Sequence, residues 1–105
     1  MVDRVPTIAV IGAGLRSSVY ASEATRSGLA RIVAVAEPDP ARRAAFRETY
    51  RVPVEAVFED WRDLLAQERL ADAVIVGTQD RMHVAPAVAA AERGYHILLE
   101  KPIAP

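Results

Sequence analysis

The sequence predicts an α/β fold, a doubly wound parallel sheet of about five strands in the order 3-2-1-4-5, on three observations. Short, continuously apolar runs alternate with longer amphipathic stretches along the whole chain. That alternation is the signature of parallel strands joined by right-handed helical crossovers, with helices on both faces of the sheet. The first apolar run, Thr7-Ile8-Ala9-Val10-Ile11, passes directly into the glycine turn Gly12-Ala13-Gly14 and then into an amphipathic segment. The second run ends on an acidic residue, Glu37, which lies 23 positions beyond Gly14.

Taken in order, strand one is Ile8–Ile11 and the first helix is Leu15–Ser27, stopped by Gly28, a good C-terminal residue. Strand two is Ile32–Ala36. Asp39 then reads as an N-cap and Pro40 as the first helical residue, opening a helix to about Tyr50 with Ala41, Ala44, Ala45 and Phe46 toward the core. Val54–Phe58 reads as a short third strand. Asp60 caps a helix in which Trp61, Leu64 and Leu65 share a face.

Strand four is Ala73–Val76, apolar throughout, as expected where both faces are covered. The polar loop Gly77–Met82 leads to a helix from about His83 to Arg93, ended by Gly94. Pro86 is tolerated there because the first turn has N–H groups with no intrahelical partner. His96–Leu99 is strand five. A sixth strand, usual in sheets of this type, is expected to be absent. Strand five would then be an edge bearing Ile97, Leu98 and Leu99, which favours association with another chain. Either the polypeptide is a fragment of a longer, two-domain protein or an oligomer contact covers that edge, and a homo-oligomer is expected.

Composition narrows the partners. The 105 residues are expected to form one domain with a modest core. A formal net charge of -1 gives no basis for nucleic acid or an anionic membrane as partner. The chain has no cysteine, which excludes disulfides, thiolate catalysis and Cys-ligated zinc, and no metal site is expected. No apolar run is long enough to span a bilayer, and the N-terminus lacks the apolar core of a secretory signal, so the expected location is the cytoplasm.

The glycine turn supplies the candidate site. Gly12 permits the tight turn, Gly14 lets backbone N–H groups approach a pyrophosphate, and the helix that follows aims its positive end at that charge. Leu15, Arg16 and Ser17 complete the cofactor-binding turn, with Ser17 at the position of the third small residue. Glu37 is placed to accept hydrogen bonds from the ribose hydroxyls. Its charge would repel a 2′-phosphate, which argues for NAD over NADP. Arg42 and Arg43, one helical turn on, read as a solvated helix face, with neutralisation of a phosphate as the competing reading. Asp39 reads as the cap.

In an open parallel sheet the ligand crevice lies beyond the carboxyl ends of the strands. Thr78, Gln79 and Asp80 therefore border the cofactor, Asp80 reading equally as an ordinary loop carboxylate. His83 either caps its helix or touches the ligand, and His96 reads as structural. Glu100-Lys101-Pro102 closes strand five on the same edge. A lysine there could donate to the oxygen of a substrate alcohol or carbonyl, its pKa lowered by nearby positive charge, or be a surface lysine before a turn proline.

Four segments, Ile8–Ser17 (IAVIGAGLRS), Val33–Pro40 (VAVAEPDP), the Thr78–His83 loop and above all Gly94–Pro102 (GYHILLEKP), resemble the N-terminal domain of the Gfo/Idh/MocA oxidoreductases. The resemblance covers nearly the whole chain. It implies a Rossmann-type domain and NAD(P)-dependent oxidation or reduction of sugars, polyols and related hydroxy compounds. It assigns the pyrophosphate to Gly12 and Gly14, the ribose to Glu37, nicotinamide-side contacts to Glu100, and the catalytic position to Lys101.

Two positions depart from the family pattern: Ser17 replaces a common glycine or alanine, and Gln79 stands where proline often follows the threonine. Family members also continue into a second α/β domain that supplies substrate contacts. Without it the chain is expected to bind NAD with little or no turnover. The resemblance leaves two other functions open. One is an NAD-using glycosidase acting by transient oxidation, and the other is a non-catalytic NAD-binding module.

Overall fold

The computed structural model describes residues 5–12, 15–67, 70–77 and 84–99. Five strands form one parallel sheet: β1 (Thr7–Ile11), β2 (Arg31–Ala36), β3 (Val57–Phe58), β4 (Ala73–Val76) and β5 (His96–Leu99). They lie in the order β3-β2-β1-β4-β5, as expected. Four helices connect them: α1 (Leu15–Arg26), α2 (Pro40–Tyr50), α3 (Trp61–Ala66) and α4 (Val84–Glu92).

Ala9, Val10, Ala34, Val35, Val74 and Val76 are fully buried, consecutive residues included. Consecutive side chains on a strand point to opposite faces, so both faces of β1, β2 and β4 are covered. The Ser22 side chain of α1 hydrogen-bonds Tyr50 of α2, while α3 packs on α4. The helices thus pair α1 with α2 and α3 with α4, one pair on each face. Right-handed crossovers in this strand order require that pairing. Each fully buried valine contributes on the order of 2 kcal/mol of transfer free energy.

The helix ends follow local chemistry. Asp39 caps α2, its carboxylate accepting from the Arg42 amide at 2.8 Å. Gly28 sits at φ +75 beyond α1; its amide donates to the Thr25 carbonyl and that of Leu29 to Ala24. This double closure needs a residue free to adopt the left-handed conformation. The Ala90 and Ala91 carbonyls close α4 in the same pattern.

Two expectations are corrected. The third strand is shorter than Val54–Phe58. Pro53 starts a 3₁₀ turn over Val54–Ala56, closed by the Ala56 amide on the Pro53 carbonyl at 2.9 Å, and only Val57 and Phe58 pair with β2. The core stripe of α2 is not Ala41, Ala44 and Ala45, which are exposed. It is Arg43, Phe46 and Tyr50, spaced at i, i+3 and i+7. Alanine buries little area, whereas two rings in contact, with centroids 4.6 Å apart, and an arginine stem bury much more.

Candidate functional site

The carboxyl ends of the strands converge where the strand order reverses, between β1 and β4. Beyond β1, Gly12 turns the chain at φ +88 while its amide donates to the Ala36 carbonyl at 2.8 Å. A side chain at that φ would be strained, so the turn requires glycine. On the other side, the Gly77 amide donates to the Ile11 carbonyl at 2.8 Å, joining the end of β4 to the same turn.

Glu37 follows β2 directly, and its amide donates to the Phe58 carbonyl at 2.9 Å. It is 5% exposed and is the one buried charged residue among those described. Burial of a carboxylate is costly unless hydrogen bonds compensate. One comes from the Asp39 amide, 2.8 Å from Oε2. Arg43 braces the turn from α2. Its Nη1 donates to the Glu37 carbonyl at 2.8 Å and the Pro38 carbonyl at 3.2 Å, and Nη2 lies 3.9 Å from Glu59. Arg42 is exposed, as expected; Arg43 is neither a solvated residue nor one facing open space, with its side chain 20% exposed.

A groove of about 160 Å³ opens at this edge. Ile11 and Gly12 of the β1 end, Ala36 and Pro38 of the β2 end, and Glu59, Asp60, Trp61 and Arg62 line it, the last four where β3 turns into α3. Glu37 lies between two lining residues in sequence but is not one itself. Asp60 caps α3 as expected, and Leu64 and Leu65 are buried with Trp61 packed against the core. Sequence reasoning placed Trp61 on the core face only. Its position directly after a strand's carboxyl end was the available signal for the groove.

Of the residues expected at the site, the structure brings together Gly12 and the Glu37 turn. Leu15, Arg16 and Ser17 open α1, their side chains lying outside the described residues. Gly14, Thr78, Gln79, Asp80, His83, Glu100 and Lys101 also lie outside them. His96 is exposed and opens β5, its amide donating to the Asp72 carbonyl at 3.3 Å. Among the described residues no cluster of acidic or histidine side chains could hold a metal, and no helix is long and apolar enough to cross a membrane.

Residues 7–105 match the model of the Gfo/Idh/MocA family, described as an oxidoreductase family with an NAD-binding Rossmann fold. The chain belongs to that family. It is 34% identical to an inositol 2-dehydrogenase from Corynebacterium glutamicum over 93% of its own length and 28% of the relative's. It is equally similar, at 34% over 88% of its length and 26% of the relative's, to a D-xylose 1-dehydrogenase (NADP(+)) from Haloferax volcanii. Among solved structures, the WlbA dehydrogenase from Bordetella pertussis in complex with NADH and UDP-GlcNAcA superposes with a TM-score of 0.84 at 27% identity. That match covers 99% of this chain and 30% of the other. The chain therefore spans between a quarter and a third of the length of these relatives.

The residues on this edge fit a dinucleotide. A glycine-only turn at the strand reversal gives the backbone room beside a pyrophosphate, and the buried carboxylate at the end of β2 gives an acceptor for hydroxyls.

Proposed function

We propose that this chain is the NAD-binding part of an oxidoreductase that moves hydride between a nicotinamide cofactor and a sugar, polyol or related hydroxy compound. The observation that carries the reading is the pairing of Gly12 at φ +88 with the buried Glu37 across one strand edge. The names of the relatives, which act on inositol, xylose and levoglucosan, support the substrate class. All three are dehydrogenases, which favours net hydride transfer over the glycosidase reading.

Gly12 and Gly14, with Leu15, Arg16 and Ser17 behind them, would hold the pyrophosphate. Thr78, Gln79 and His83 would border the crevice on the β4 side. The bound cofactor supplies a hydride acceptor or donor. Glu100 would stand beside its nicotinamide end. Lys101 would donate a hydrogen bond to the substrate oxygen and stabilise alkoxide character as the carbon is oxidised. These assignments rest on position in the sequence and on the family resemblance. Association into a homo-oligomer belongs to the proposal; among the described strands β5 stands at one end of the order, paired with β4.

Two features favour NAD over NADP. Glu37, Glu59 and Asp60 place negative charge around the groove, and the Arg43 guanidinium is engaged with the Glu37 and Pro38 carbonyls. Calorimetric titration of the chain with each cofactor tests the reading. NAD is expected to bind more tightly, and Glu37→Ala to weaken it about tenfold, the worth of a hydrogen bond to a charged group. Equal or tighter binding of NADP by the unaltered chain, or no response to Glu37→Ala, would remove the ribose assignment.

A further inference from the structure

We draw no further inference here: the strongest candidate, the exposed apolar surface patch of Val5 and Leu29 at the amino ends of β1 and β2, carries nothing because nothing in the structure shows what covers it.

Discussion

The two ends of the sheet are built differently. At the amino ends of the strands the chain is pinned by side chains. The Asp72 carboxylate accepts from the Thr7 amide at 2.9 Å and from its hydroxyl at 3.2 Å, while the Asp72 amide donates back to the Thr7 carbonyl at 3.0 Å. The buried Tyr95 hydroxyl accepts from the Leu70 amide at 3.0 Å, and the Arg31 amide donates to the Pro6 carbonyl at 2.9 Å. At the carboxyl ends the chain instead holds a positive-φ glycine, a buried carboxylate and an open groove. The contrast separates stability from binding within one sheet. The amino edge spends its polar groups on one another, and the carboxyl edge arranges backbone and charge around a space.

Breaking the amino edge should therefore cost stability and spare binding. Asp72→Ala leaves the part-buried Thr7 amide without its carboxylate acceptor, and the expected loss is about 1–3 kcal/mol in urea unfolding. NAD affinity should stay within experimental error. A Kd that rises with the loss of stability would show that the two edges are coupled and that the contrast fails.

Arg43 tests the other edge. Arg43→Met keeps an apolar stem at this half-buried position but removes the donors to the Glu37 and Pro38 carbonyls. We expect a loss of about 1 kcal/mol in stability and roughly threefold weaker NAD binding, because the turn that carries Glu37 is no longer braced. Unchanged affinity in that variant would mean that Glu37 holds its position without Arg43, through the Asp39 amide.

What could be read in advance divides along physical lines. β1, β2 and β4 were legible within a residue because strands buried on both faces are continuous apolar runs, and α/β alternation then restricts their order. β3 was not, because Pro53 diverts Val54–Ala56 into a 3₁₀ turn whose residues have strand-like composition. The α2 stripe was misread because alanine spacing and the Arg43, Phe46, Tyr50 spacing both satisfy a helical period, and only packing chooses between them. Gly12 and Glu37 announce themselves as punctuation at strand ends. The task of Arg43 depends on which carbonyls the turn after β2 brings within reach, and no local pattern encodes that.

The helix α2 spans both edges, with Arg43 toward the binding end and Tyr50 toward the pinned end, and Tyr50 offers the smallest test of the contrast. Burial raises the Tyr50 pKa above its ordinary value, an effect that the Ser22 hydrogen bond partly opposes. A tyrosine held neutral more firmly in the folded than in the unfolded chain contributes stability that is complete below the unfolded value near 10. That contribution is lost as pH rises through the folded value. Urea midpoints measured upward from pH 9 should therefore fall with a slope that Tyr50→Phe reduces. At pH 7 the same substitution should cost only about 0.5 kcal/mol, the worth of one half-exposed hydrogen bond. The NAD affinity of the variant at pH 7 should match that of the unaltered chain, since Tyr50 lies a full helix away from the groove. A slope equal to that of the unaltered chain would assign the alkaline loss to other groups and leave α2 anchored at Phe46 alone.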